Sequence, residues 1–552
     1  MKNIPFIKRN KPIVIGLLIA SAITILGCSD DNPKAKVLLR PVTTMTANLN
    51  HVLLNWKGVE GAQKYIVEVY RVTDGANELL HSYETPDTSF SIDLEWDESY
   101  QMKVRCEGNG LASAAWDTDV LSLSYPTILG ASRTIDTQAL ITWTKTADFT
   151  VTNLTATPLD KTGSETGEAK VYPISNEVYE AQQVIIDELQ PSTSYKICAY
   201  SGDVSLDNYR GRTLITTGAA EDLVAEYGAN LIDLREAAYD EQYFNNLDWS
   251  TVAEGTAFIL PEGKSYIVNS GTVPELTKSF HFVTPQTLGE YATLKFDNAF
   301  RVADGAEVKK ITFKRMNLTA LKTMDQITDG GMSGKQVVCP EAATYYIDSI
   351  KFTDCHIENF RAVVRSKSNN GSFGNIVFQG CSLNAIGNQG IVSTDGKTGK
   401  VTLLTFNECT VTNICGIADL RNADSSTGGV AISNCTFCYA PMDNSFLFRV
   451  AYGIPVTIQN SVFGASMKVN GKAPAFNEAG TGGQDDYTGR YPFAAVNSFK
   501  ASDHASTKGD LGLTSANMTT STLFQDPANG NFKLHSTFSA NTSVGASKWR
   551  AL

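Results

Sequence analysis

The sequence lacks a comfortable membrane span: its N-terminal apolar run, Ile13 to Leu26, is too short and breaks at Ser29-Asp30-Asp31. A complete disulfide framework is also excluded, because nine cysteines, an odd number, remain once Cys28 is set apart. Zinc is poorly provided for, since Cys435-Thr436-Phe437-Cys438 has no second C-x-x-C at ligand spacing, and no metal site is read there. Helical periodicity is scarce. A strongly basic region is missing as well: residues 301–552 hold 23 Lys+Arg against 19 Asp+Glu, too small an excess for a nucleic-acid partner. The whole chain carries a formal charge of −12, so residues 1–300 are strongly acidic.

What is present rules out global disorder, with 42% hydrophobic and 9% aromatic residues. At 552 residues the chain is several domains long, or contains an elongated repeat fold. Lys2, Lys8, Arg9 and Lys11 ahead of the apolar run form a secretory leader over residues 1–27. Ile25-Leu26-Gly27-Cys28 resembles a bacterial lipobox, which makes Cys28 the lipidation site and residues 28–36 a tether. An ordinary leader with an incidental cysteine is the alternative. Ser29-Asp30-Asp31 resembles the export signal of Bacteroidetes lipoproteins displayed on the outer membrane, which implies a lipid-anchored protein facing the cell exterior.

Two stretches, 37–125 and 126–218, show short alternating strands with matching landmarks. Trp56 and Trp143 each close an early strand, and Ser99-Tyr100 and Ser194-Tyr195 each open a late one. These landmarks resemble fibronectin type III domains, with a core tryptophan and a late tyrosine corner. The resemblance implies two β-sandwich spacers. Between Ala219 and Tyr243, Leu223, Tyr227, Leu231, Leu234 and Ala238 predict a helix that links or caps over residues 219–250.

Residues 251–552 carry a repeat. Segments beginning at Ile311, Ile350, Ile376, Leu404, Val430 and Val456 align without gaps, and their sixth positions are Met316, Cys355, Cys381, Cys409, Cys435 and Ser461. Intervals of 39, 26, 28, 26 and 26 residues suit coils of a parallel β-helix. The cysteines then form a buried ladder of small side chains and no catalytic cluster. A second row, Arg365, Ser393, Arg421 and Arg449, recurs every 28 residues; strand alternation turns Val364, Val392, Leu420 and Phe448 inward and the arginines outward.

The coils resemble the right-handed parallel β-helix of pectate-lyase-type polysaccharide proteins. The segment Leu523 to Leu534, with Gly545-Ala546-Ser547-Lys548-Trp549, resembles the closing segment of Bacteroides β-helix surface lipoproteins. An all-β chain is therefore expected: two fibronectin type III-like sandwiches followed by a pectin-lyase-like right-handed solenoid. The resemblance implies a part in polysaccharide utilisation beside other glycan-utilisation surface proteins.

Polygalacturonase-type hydrolysis is not supported, because Asn-Thr-Asp, Gly-His-Gly and Arg-Ile-Lys are missing from the coils and Asp485-Asp486 lies in a Gly-rich stretch. Val364-Arg365-Ser366-Lys367-Ser368 with Asn370 resembles the strand end of chondroitinase-B-like and alginate lyases. That resemblance implies Lys367 as catalytic base, with Arg365 or Arg421 clamping a uronate carboxylate. Lys367 also aligns with Asp395, so a plain ion pair is the other account. The arginine row, with Arg449, and the aromatics Tyr452, Tyr487 and Tyr491 are the candidate substrate-binding residues for an acidic, pectin-like polysaccharide. No cofactor is assigned; calcium is a candidate through Asp395, Asp419 and Asp424. Three readings stay open: acidic-glycan binding, β-elimination by a lyase, and a structural or adhesive surface role.

Overall fold

The computed structural model describes residues 37–73, 76–125, 127–269, 271, 273–321, 335–387, 389–423, 428–441, 446–451, 453–466, 476–480, 493–504, 506–508 and 511–551. Strands make up 47% and helices 7%, so the chain is all-β. It divides into two compact units, one ending at Pro126 and the other starting at Thr127.

The first unit holds a fibronectin type III-like sandwich. Strands Thr43–Asn48, His51–Trp56 and Ser89–Asp93 form one sheet, and Lys64–Thr73 pairs Ala76–Thr85 and Ser99–Gly108 in the other. Alternation puts Val52, Leu54 and Trp56 of one sheet against Tyr100, Met102 and Val104 of the other. The hydroxyl of Tyr100 donates to the Glu95 carbonyl at 3.2 Å, the bond expected of a tyrosine corner.

The second unit opens with the same sandwich, built on Leu129–Thr134, Ala139–Trp143 and Gln183–Ile186 facing a four-stranded sheet. Trp143 is buried in its core, and the Gln190 amide donates to the Tyr195 hydroxyl at 2.7 Å. This sandwich is fastened to the solenoid that follows. Gln138 accepts from the Leu288 amide at 2.7 Å. The carboxylate of Glu221 receives both Arg315 bonds at 2.6 Å, Lys314 at 3.0 Å and the Gln286 amide at 2.9 Å.

The continuous helix expected between Ala219 and Tyr243 does not form. Helix is confined to Leu223–Tyr227 and Tyr243–Asn246, and Leu231–Asp233 is already the first strand of the solenoid. Gly228, at φ 81°, stops the first turn, a conformation that costs glycine least. The apolar spacing has another cause: Leu223, Tyr227 and Leu231 pack over Ala257, Ile259 and Val283 on the outside of a sheet. The solenoid therefore begins inside the segment read as a linker.

Three parallel sheets build the solenoid. Sheet 1 has ten strands from Leu231–Asp233 to Phe493–Val496, sheet 2 ten from Ser265–Val268 to Thr514–Ser515, and sheet 3 six from Val364–Arg365 to Ser506–Lys508. Ile311, Ile350, Ile376, Leu404, Val430 and Val456 stand in one register row, as the gapless alignment requires. Two residues along, Phe282, Phe313, Phe352, Phe378 and Phe406 stack nearly parallel, with neighbouring centroids 4.7–5.6 Å apart. From the Ile311 coil to the Phe493 coil the chain turns between sheets 1 and 2 on a single left-handed residue: Arg315, Asp354, Gly380, Glu408, Asn434, Asn460 and Asn497.

Cys355, Cys381, Cys409 and Cys435 are fully buried beside that corner, with Ser461 continuing the row. Cys438 faces a different cluster, beneath the C-terminal segment, so the C-x-x-C residues serve separate cores. Burial pushes the Cys415 and Cys438 thiols up to about 12, far from the thiolate form that reacts. A thiol-reactive dye is expected to leave all nine described cysteines unmodified in the folded protein and to label all nine after guanidinium unfolding. Rapid labelling of the native protein would show that the ladder opens.

Candidate functional site

Sheet 3 carries the charged row. Its register sets Arg365 beside Ser393, Ser393 beside Asp419, and Asp419 beside Arg449. The inward row is accordingly Val364, Val392, Ala418 and Phe448, while Leu420 pairs with Val450. This corrects the 28-residue row. Arg421 lies two residues beyond Asp419, past the strand Ala418–Leu420. The constant spacing averaged over two unequal coils, one shorter and one longer.

The arginines do not form a bare outward stripe. Arg365 has only 10% of its side chain exposed and donates to Asp395 at 2.7 Å. Gln389 donates to the other oxygen of Asp395 at 3.1 Å. Arg421 donates to Asp419 at 2.8 Å, and Arg449 approaches the same oxygen to 3.6 Å while its guanidinium lies 4.8 Å from the Phe446 ring centre. Burial pushes the Asp419 carboxyl above the usual carboxylate range, against the pull of Arg421 and Arg449. Of the calcium candidates, Asp395 and Asp419 are engaged by arginines, and Asp424 lies outside the described residues. Among the described residues no group of three or more His, Cys, Asp or Glu is placed to hold a metal ion.

Lys367 is paired with Glu341, and Asp395, its aligned neighbour, belongs to Arg365. Arg301 reaches the other oxygen of Glu341 at 3.4 Å. The Lys367 ammonium, with Arg301 behind it, holds the Glu341 carboxyl below the usual range although partial burial opposes this. A base acting on a uronate ring needs its lone pair turned to the sugar. In this arrangement the Lys367 amine faces the Glu341 carboxylate. Beneath it Tyr345 donates to the Ser366 hydroxyl at 2.5 Å, and Ser368 donates to the Ala343 carbonyl at 2.6 Å, which fixes the chain on either side of Lys367.

Sequence reasoning missed Glu341 and Arg301 as members of the site and named Asp419 only as a calcium candidate. For Glu341 a signal existed: Val338 bridges Val364, and the same 26-residue offset carries Glu341 to Lys367. The candidate residues Tyr452, Tyr487, Tyr491 and Cys28 lie outside the described residues. Phe493, two residues after Tyr491, is half-buried against the solenoid core.

No protein-family model matches the chain. None of the curated proteins matches it either. Among solved structures it is similar to a two-domain fibronectin type III segment of chicken tenascin, at 15% identity over 32% of this chain and 97% of that one, with a TM-score of 0.16. It is also similar to the FN1–FN3 domains of chicken CNTN1, at 13% identity over 32% and 67% with a TM-score of 0.14. A third neighbour is the chicken interferon gamma receptor alpha chain, at 13% identity over 32% and 97% with a TM-score of 0.15.

Proposed function

We propose that the protein is a lipid-anchored surface protein that binds an acidic polysaccharide on sheet 3 of its solenoid, with the sandwiches as spacers. A β-solenoid joined to fibronectin type III-like domains is consistent with a carbohydrate-related or adhesive surface role. The observation that carries the finer reading is the sharing of carboxylates. Lys367 and Arg301 converge on Glu341, and Lys367 keeps 36% of its side chain exposed. Two rungs beyond Arg365, Arg421 and Arg449 converge on Asp419. Among the described residues the face therefore holds five cations against three carboxylates. The two convergent groups are separated by about 10–14 Å, two to three rungs of a parallel sheet. A polymer with repeated carboxylates can reach both groups; a single small anion cannot.

Cys28 would anchor the chain through its acyl groups, at about 0.8 kcal/mol per buried methylene. No helix among the described residues is long and apolar enough to cross a membrane.

The test is retention on polygalacturonate and alginate affinity gels across a salt series. Wild type is expected to be retarded at low salt and released near 1 M NaCl, where the screening length is about 3 Å. Lys367→Ala with Arg421→Ala should weaken retention about tenfold or more, since a charge-assisted bond contributes about 1.5–3 kcal/mol. Unchanged migration on every acidic glycan would sink the proposal. Release of unsaturated uronate that survives Lys367→Ala would show a lyase with a different base.

A further inference from the structure

A second feature of the solenoid lies on another face. The C-terminal segment folds back over sheet 2, held by Trp549 donating to Thr410 at 2.7 Å and by the Ala546 amide donating to Thr436 at 3.0 Å. Arg550 adds bonds to Glu408 and Asn434 at 3.3 and 3.1 Å. Between this segment and the sheet runs a groove of about 680 Å³. Its floor is two outward register rows: Thr293, Asn317, His356, Ser382 and Thr410, and beside them Thr319, Glu358, Asn384 and Thr412. One wall presents Trp549, Phe532 and the turn Pro527–Gly530, and Tyr439 lies at the end.

We propose that this groove binds an uncharged, extended oligosaccharide, in addition to the acidic-glycan face on sheet 3 and independently of it. Three observations converge. The floor offers hydroxyls and amides at a rung spacing of about 4.8 Å over roughly 19 Å, close to the advance of successive pyranose units in an extended glycan. The polar groups are only partly consumed internally: Thr410 accepts from Trp549 and Thr319 from Asn359, but other bonding capacity remains. Asn384 accepts from Thr412 at 3.0 Å and Asn413 at 2.9 Å, while its amide NH2 donates to no described residue. Asn317 donates to the Tyr291 carbonyl at 3.1 Å and leaves its own oxygen to accept.

The third observation is charge. Glu358 is the one carboxylate in the lining, and the lining contains no lysine or arginine. Loss of solvent, with Lys548 nearby, lowers the His356 pKa and favours its uncharged ring at neutral pH. Lys548 stands at the rim, 5.1 Å from the Trp549 ring centre, one cation outside the lining against the single carboxylate of Glu358. An anionic chain would meet Glu358 and find no fork to receive its carboxylates. A neutral sugar can donate hydroxyls to Glu358, bond both ways with asparagine and threonine, and lay its C–H face against the aromatic wall.

The experiment is calorimetric titration of the full-length chain with neutral hexasaccharides of glucose, mannose and xylose, and with hexagalacturonate as the acidic arm. At least one neutral chain is expected to bind with little dependence on salt. Glu358→Ala and Ser382→Tyr both alter exposed or half-buried outward positions, the second filling the groove; each should weaken that binding about tenfold with an unchanged melting temperature. Lys367→Ala should leave neutral binding intact, which separates this site from the acidic face. The proposal is overturned if no neutral hexasaccharide binds, if both groove variants bind like wild type, or if hexagalacturonate is the ligand those variants lose.

Discussion

Phe378→Ala is expected to destabilise the solenoid by about 3–5 kcal/mol, the range for deleting a buried phenylalanine side chain. The ring is fully buried and sandwiched between Phe352 at 4.7 Å and Phe406 at 4.8 Å, within 5° of parallel to each. Its strand, Asn370–Gln379, is hydrogen-bonded on both sides in register, so the backbone cannot collapse into the void. A cavity that cannot relax carries the upper end of the cost. The urea midpoint should fall sharply at an unchanged slope. Tyr346→Ala, at an exposed position on the preceding coil, provides the control and should shift stability by no more than about 0.5 kcal/mol. Equal effects of the two substitutions would show that the stacked rings are not what holds successive coils together.

The second large effect is expected from Glu221→Ala, about 3–5 kcal/mol, because it leaves Arg315 without its counter-charge in a largely buried setting and Lys314 with Glu226 alone. Arg315 is also the left-handed corner residue of its coil, and its Nε bonds the Thr284 carbonyl at 2.8 Å, so the guanidinium has little freedom to swing out. Burial by itself would raise the Glu221 pKa, but Arg315 and Lys314 outweigh it and the folded carboxyl titrates below its usual value. The sign of the linkage follows. The contribution is complete above the unfolded-state pKa of about 4.3 and is lost as the pH falls through the depressed folded value. Wild type should therefore show an acid-dependent loss of stability that Glu221→Gln lacks, measured as the midpoint of urea unfolding from pH 6 down to about pH 2. Limited proteolysis between residues 219 and 230 should accelerate in the variant. A flat difference between wild type and Glu221→Gln across that pH range would refute the assignment.

Legibility from sequence followed the rigidity of each corner. From Ile311 to Val456 the sheet 1 to sheet 2 turn keeps one length and one left-handed residue, so these segments and the cysteine ladder could be aligned without gaps and matched the register. Sheet 3 has strands as short as Val364–Arg365 and corners of unequal length, so equal spacing misplaced Arg421 by two residues. Charge type was visible but pairing was not: Glu341 and Asp419 are single acidic residues whose importance lies only in who stands beside them. In residues 219–243, helix-like apolar spacing was read as one continuous helix because Leu223 and Tyr227 on a short helix and Leu231 on the first strand all join one apolar cluster on sheet 1. The groove was illegible for a different reason. Its floor is made of common outward polar positions, and its wall comes from residues more than a hundred positions away, with Ala546 bonded to Thr436.

The one-residue corners at Arg315, Asp354, Gly380, Glu408, Asn434, Asn460 and Asn497 bear on how such a chain can change over generations. An insertion there would rotate every following side chain out of its row and expose the phenylalanine stack, whereas the first two coils already carry longer corners, five residues between Ile259 and Ser265 and eight between Val283 and Ala292. In the later coils the extra length lies elsewhere: coils of 26 or 28 residues stand between one of 39 and one of 37, and the surplus of the 39-residue coil falls after Ala320, beyond sheet 2. Descendants of this scaffold can therefore gain or lose whole recognition loops on the sheet 3 side while inheriting the stacked interior unaltered.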